Sequence, residues 1–486
     1  MPRLVLIGCA ALAIAIPRPK TQDLLAQGLD RNKPPAPSPQ PPIRIPAWTR
    51  MKLANGAELV VTQKRDLPLV AFSLNIVGGS YNFEPVDKLG TANFTAQMLS
   101  EGTASKTADQ LSEAQQVLGT QIGINVSGEG GTIGFTALKD KLKPALALTA
   151  DMLLNSTFPA PALERIRGRT LVQLQQAKDQ PNAIASNVFS KVVYGDQHPY
   201  GRVTTESTVK AITRDDIVAF HKAFYQPGRA VITVTGDVDP AAVKTAVEKA
   251  FAAWAPGGAW PAWMYPPAPA PRATTIYLVD KPKAAQSVFA IGLPGPARDT
   301  PDYYAIQVMN NLLGGLFQSR LNHNIREVKG YSYGVNSSFA FGRGPGAFRA
   351  GGGIVTAKTD SALIEFMREF HGVEGEVPFT DDEITQGKES LIQSLPRRFS
   401  SVNGIGGSVA SIYTQDLPET FYQEYPAKIN AVTRDDLVRV AKKYVDLAHL
   451  TIVIVADKEA VQGPLAATGI APIVTLDLDG KPVPIP

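Results

Sequence analysis

The sequence predicts an α+β protein made of two homologous α/β-sandwich-type domains, mainly antiparallel sheet with helices, and three observations predict it. The first is an internal repeat. Ala211-Ile-Thr-Arg-Asp-Asp-Ile217 returns as Ala431-Val-Thr-Arg-Asp-Asp-Leu437, and VITVTGD at 231–237 faces TIVIVAD at 451–457, both at an offset of 220 residues. The second is the mixture of patterns within one repeat: period-2 alternation, a glycine-linked hairpin and helical periodicity occur together, which suits an α+β unit better than a doubly wound parallel sheet. The third is size, because 486 residues with 44% hydrophobic and 19% charged content exceed one ordinary core. Lys plus Arg at 48 against Asp plus Glu at 44 leaves a net charge of +4 without a basic run, so nothing points to nucleic acid.

Taken in order, residues 1–20 read as a signal peptide or lipoprotein signal. Arg3 precedes the apolar run Leu4 to Ile16, which is too short to span a bilayer, and Ala11-Leu12-Ala13 and Ala13-Ile14-Ala15 offer small-residue cleavage patterns. Cys9, the only cysteine, follows Leu6-Ile7-Gly8 in the manner of a lipidation site. Export to the periplasm or cell envelope is therefore expected, with membrane attachment only through this anchor or a lipid at Cys9. A mature chain free of cysteine suits an oxidising compartment. Residues 21–47 form a proline-rich linker, densest at 34–46.

The first repeat unit spans 48–255. Val70, Phe72, Leu74 and Ile76 alternate with smaller or polar residues, as in a half-buried strand. Residues 120–137 carry two alternating segments joined through Gly128 to Gly131 as a hairpin, and helical periodicity follows at 141–154 and 163–178. Thr213 and Thr433 each stand three residues before an Asp, the spacing of a helix N-cap, and each helix leads into a β-branched run that reads as a buried strand. Proline-rich residues 256–272 mark the boundary, 273–465 the second unit, and 466–486 an extended tail. The glycines of GRGPGAF (342–348) and GGG (351–353) suit hairpin turns, and they would also let a peptide or partner approach the backbone.

Between the first strand and a probable helix lies GGSYNFEPVDKLGTANFTAQMLSEGT, residues 78–103. This segment resembles the signature of the pitrilysin, insulin-degrading enzyme and mitochondrial processing peptidase family, whose active members carry an inverted H-x-x-E-H zinc motif here. The resemblance continues through Phe158-Pro159, YGDQHPYGR (194–202) and the repeated T-R-D-D segment. In such a motif two imidazoles one helical turn apart hold zinc and the glutamate takes a proton from the metal-bound water. The matching positions here are Asn93, Ala96 and Gln97, and the family's third ligand, a glutamate farther on, matches Gln173. Two carboxamides and a methyl neither bind zinc well nor accept a proton, so the resemblance implies no metal and no cofactor in this chain. His198, His221, His323, His371 and His449 include no pair spaced for one helical face, and His198 next to Pro199 reads as a turn residue.

Arg326-Glu-Val-Lys-Gly-Tyr-Ser-Tyr333, which reads locally as a strand-forming segment, resembles the family's second-half Arg-Tyr motif. That pair contacts the substrate carbonyl, where a guanidinium and a phenol stabilise a developing oxyanion. A chain with the Arg-Tyr pair and without the zinc motif resembles the complementing subunit of a two-chain member. The resemblance thus implies a non-catalytic subunit of a heterodimeric zinc peptidase, with Arg326 and Tyr333 acting in trans, zinc in a homologous partner subunit, and a peptide substrate. The alternative is a catalytically dead homologue that binds peptides or serves as a scaffold.

Overall fold

The alternation at 69–77 becomes strand β3 (Leu69–Val77) in the computed structural model, which describes residues 44–258 and 265–483. The leader at 1–20, Cys9 and nearly all of the 21–47 linker lie outside the described residues. The first sheet is built from β1 (Trp48–Lys52), β2 (Glu58–Gln63), β3, β4 (Gly123–Val126), β5 (Gly130–Leu138) and β6 (Ala230–Gly236), in the order β1-β2-β6-β3-β5-β4. The second comprises β7 (Thr275–Asp280), β8 (Gln286–Pro294), β9 (Ser332–Phe339), β10 (Ala347–Val355), β11 (Thr451–Ala456) and β12 (Ile473–Leu476), in the order β12-β7-β11-β8-β10-β9. β6 and β11, the strands of the sequence repeat, occupy equivalent interior positions. Each pairs parallel with one neighbour (β2 or β7) and antiparallel with the other (β3 or β8).

The edge strands break the symmetry. β1 joins β2 antiparallel from the N-terminal side, whereas β12 joins β7 parallel from the C-terminal side. The segment read as an extended tail, 466–486, therefore contributes Ile473–Leu476 to the sheet, and the boundary at 465 falls inside the helix Lys458–Ala467.

Both Thr-Arg-Asp-Asp copies are capping boxes. The Thr213 hydroxyl accepts from the Asp216 amide and Asp216 accepts from the Thr213 amide, and Thr433 and Asp436 repeat the pair, opening the helices Arg214–Phe224 and Arg434–Tyr444. The predicted helices at 141–154 and 163–178 appear as Leu142–Leu154 and Ala160–Ala177.

Each half lends one helix to the other half's sheet. Val402–Thr414 packs on β3 and β6, and Pro181–Tyr194 packs on β8 and β11. Small residues permit the first contact: a Cβ placed on Gly406 would stand 3.3 Å from Thr235 Oγ1. Ile405, Val409 and Ile412 of that helix are almost fully buried, which corresponds to roughly 5–9 kcal/mol of apolar burial. The exchange explains why Ala71 on the polar face of β3 is buried, and why both halves fall within one compact unit, Ile43–Pro486. No helix among the described residues is long and apolar enough to cross a membrane.

Candidate functional site

The segment 78–103 leaves β3 at Gly78 and reaches the helix Thr91–Met98 through Gly90, whose φ of 109° lies where only glycine is unstrained. Glu84 fixes the helix start, its Oε1 accepting from the amides of Gly90 and Ala92 at 2.9 Å each. The face formed by Ala92, Phe94, Thr95, Ala96 and Met98 is buried, while Asn93 is exposed and Gln97 half-buried. Ala96 is only 3% exposed and presents a methyl group where the family's motif has its glutamate.

Gln97 is not free. Arg169 Nη2 donates to Gln97 Oε1 at 2.5 Å, and Gln97 Nε2 donates to the Asn93 carbonyl at 3.4 Å. Arg169 belongs to the helix Ala160–Ala177, which packs beside the 91–98 helix and carries Gln173, exposed, one turn farther along. The structure thus brings Gln97 to the helix that bears Gln173, through a guanidinium rather than a metal ligand. Three carboxamides, a methyl and a cation do not fit zinc, which takes imidazole, thiolate or carboxylate donors. Among the described residues no group of three or more His, Cys, Asp or Glu side chains could hold a metal ion. Arg169 was not singled out by sequence reasoning, although the basic run Arg165, Arg167, Arg169 precedes the matched ligand position on the same helix.

His198 is buried and structural. Its Nδ1 accepts from the Tyr200 amide at 3.1 Å, its ring stacks on Tyr194 at 4.8 Å, and Nε2 lies 3.2 Å from the Pro266 carbonyl. Burial holds its pKa below the usual histidine value. His221 is equally occupied, with Nε2 2.7 Å from the Leu153 carbonyl.

In the second half Arg326 lies in a helical turn, His323–Val328, rather than on the strand read from the sequence. Gly330 at φ 66° then turns the chain into β9, an edge strand that carries Tyr333. The Arg326 guanidinium pairs with Glu327 at 2.7 Å and lies 4.6 Å from the centre of the Phe317 ring. Tyr333 is 88% exposed and Phe317 67%. Among the described residues no hydrogen bond or ion pair links Arg326 or Tyr333 to Asn93, Ala96, Gln97 or Gln173. Phe317, against Arg326, escaped sequence reasoning because its contact with the guanidinium is tertiary.

The glycine-rich stretches divide between two tasks. Gly351 and Gly352 sit inside β10, where added Cβ atoms would meet the carbonyls of Phe289 and Gly334 at 2.0 and 2.5 Å, so close strand packing, not an open approach, requires them. The β9–β10 turn instead ties the halves together. Glu129, in the β4–β5 turn, accepts from the Tyr200 hydroxyl, from the Tyr265 hydroxyl at 3.2 Å and from the Arg343 amide at 3.1 Å.

Comparisons with known proteins agree with this architecture. The family model for insulinase, peptidase family M16, matches residues 59–205, and that for the peptidase M16 inactive domain matches 211–391. An uncharacterized zinc protease of Bacillus subtilis is 27% identical over 355 residues, 73% of this chain and 85% of that protein. Another, from Streptomyces coelicolor, is 26% identical over 408 residues, 81% of this chain and 86% of its own length. The crystal structure of a peptidase M16 inactive domain from Pseudomonas fluorescens superposes with a TM-score of 0.77 at 26% identity, covering 84% of this chain and 98% of that one. A protease from Helicobacter pylori shares the fold at a TM-score of 0.76 and 19% identity, covering 84% of this chain and 99% of that one. Two family models placed end to end across the two repeat halves, with the fold they share, establish that the chain belongs to peptidase family M16.

Proposed function

We propose that this chain is the non-catalytic subunit of a heterodimeric zinc peptidase: it leaves water activation to a zinc-bearing homologous partner and supplies Arg326 and Tyr333 to the substrate carbonyl. The observation that carries the reading is the contrast between the two constellations. Where a metal would be gripped, Arg169 donates to Gln97 and Ala96 has no proton-accepting group. Tyr333, in contrast, is 88% exposed on an edge strand, with no hydrogen bond among the described residues holding its hydroxyl. An exposed phenol, and a guanidinium braced on Phe317, suit contacts made with another molecule. The proposal includes export to the periplasm or cell envelope, which rests on the leader-like segment 1–20.

The test is co-expression with a homologue bearing a complete H-x-x-E-H. The pair is expected to carry one zinc, in the partner, and to cleave peptides, while this chain alone does neither. Arg326→Ala or Tyr333→Phe is expected to lower kcat by roughly 10²-fold with assembly and zinc content unchanged, the scale of losing one oxyanion donor. Unchanged turnover in both variants would leave the peptide-binding or scaffold reading in its place.

A further inference from the structure

Apart from these two constellations, the second half holds a cavity of about 270 Å³ bounded by four helices, Tyr303–Asn310, Asp381–Arg398, Val402–Thr414 and Phe421–Ala431. Arg298 lines it from the loop after β8 and Arg398 from the end of the 381–398 helix. The lining contains no carboxylate, and among the described residues neither guanidinium has an ion-pair partner. Nearby carboxylates are engaged: Asp416 with Arg343 at 2.7 Å, Glu424 with Lys428 at 3.0 Å, and Glu419 with the Tyr413 hydroxyl at 2.9 Å.

Arg298 is held rigidly. Its Cζ stands 3.4 Å from the centre of the Tyr303 ring and 5.0 Å from that of Phe421, and its Nη2 is buried without a hydrogen-bond partner. A buried guanidinium nitrogen left unpaired is costly unless something accepts from it. Burial raises the phenol pKa values of Tyr303 and Tyr425 while Arg298 and Arg398 work against it, so both phenols lie in the field of both cations and remain O–H donors at neutral pH. Forked guanidinium donors, phenol hydroxyls and aromatic walls suit a planar carboxylate attached to a modest apolar group, and the volume is too small for a nucleotide.

We infer that this cavity is a carboxylate-binding pocket, and that it takes the C-terminal carboxylate of a peptide, with Arg298 as the principal donor and Arg398 as its second cation. The anion site stands on geometry alone; naming a peptide as the source rests on the peptidase-subunit reading above.

Calorimetric titration of the full isolated chain tests it, because binding there involves neither the partner nor turnover, and its failure is distinguishable from failure of trans-complementation. Acetyl-Ala-Ala-Phe with a free C-terminus is expected to bind saturably, and its C-terminal amide at least about tenfold more weakly. Arg298→Gln is expected to weaken the free acid by about tenfold or more, and Arg398→Gln by several-fold. Arg298 braces two aromatic rings, so its variant also perturbs packing; Arg398 is exposed, and its variant, checked by circular dichroism, keeps the test decisive. Equal binding of acid and amide, no binding of either, insensitivity to Arg398→Gln in a folded protein, or binding of inorganic phosphate but not of the peptide each overturns the proposal.

Discussion

Rebuilding the zinc motif in this chain, with Asn93→His, Ala96→Glu, Gln97→His and Gln173→Glu, is expected to give a weak metal site until Arg169 is also removed. A metal bound to a side chain at position 97 lies about 2 Å from its ligand atom, and Arg169 Nη2 now sits 2.5 Å from Gln97 Oε1. With the guanidinium held there, a dication about 5 Å away meets about 7 kcal/mol of repulsion at an effective dielectric of 20. Arg169 is exposed, however: Gln97→His removes its present acceptor, Gln173→Glu puts a carboxylate one turn along the same helix, and giving up that exposed i,i+4 pair to swing into solvent costs about 0.5–1 kcal/mol. The cheaper route wins, so adding Arg169→Ala to the four substitutions should tighten zinc binding by about two- to fivefold rather than by many orders of magnitude. Competition against a chromophoric chelator measures this directly. Identical zinc affinity with and without Arg169 would refute the assignment of this guanidinium as the group that occupies the metal position.

Other perturbations test the frame that carries the site. The buried Asp302 carboxylate accepts from Arg439 Nη1 at 2.6 Å, Lys443 Nζ at 3.0 Å and the Tyr444 hydroxyl at 2.8 Å; burial pushes its pKa up, these donors outweigh that, and the net value is about 2. The folded pKa lies below the unfolded one, so the stabilisation is complete above about pH 4 and is lost as pH falls through about 2. Asp302→Asn should therefore cost about 1–2 kcal/mol in urea unfolding at pH 7, with the half-exposed cations lowering the full linkage value, and an unchanged midpoint would contradict it. Thr433→Ala removes a capping box and should cost about 1 kcal/mol, as should Thr213→Ala in the other repeat; the same urea assay reads both, and two unchanged midpoints would show that the caps are ornamental. Glu129→Gln loses a charged acceptor shared by three donors and should destabilise the chain by about 1–2 kcal/mol, with faster proteolysis at the β9–β10 turn as the local readout.

Much of the fold was legible because its signals are local. Alternation from Val70 to Ile76 follows from the period of a pleated strand, and the two Thr-x-x-Asp caps follow from unpaired amides at helix starts, which need partners wherever the helix lies. The gaps at Asn93, Ala96 and Gln97 were equally plain, because ligand chemistry depends on residue type. Arg326 was misread as strand because a short segment near a glycine turn carries no period long enough to separate a helical turn from a strand. The edge role of β12 was missed for a related reason: three half-buried residues and one buried one give little pattern, and their parallel pairing with β7 is made with a segment nearly two hundred residues earlier.

By itself the sequence determined that the chain is a duplication, that each copy carries strands and capped helices, and that its catalytic-motif positions hold carboxamides and a methyl, since repeats, periodicity and side-chain chemistry are written in residue order. Only the tertiary structure decided that Arg169 reaches Gln97, that each half covers the other's sheet with a borrowed helix, and that Arg298 and Arg398 share one cavity. Those juxtapositions join residues tens to hundreds of positions apart, and they arise from burying the back faces of two sheets, a condition that no local pattern encodes.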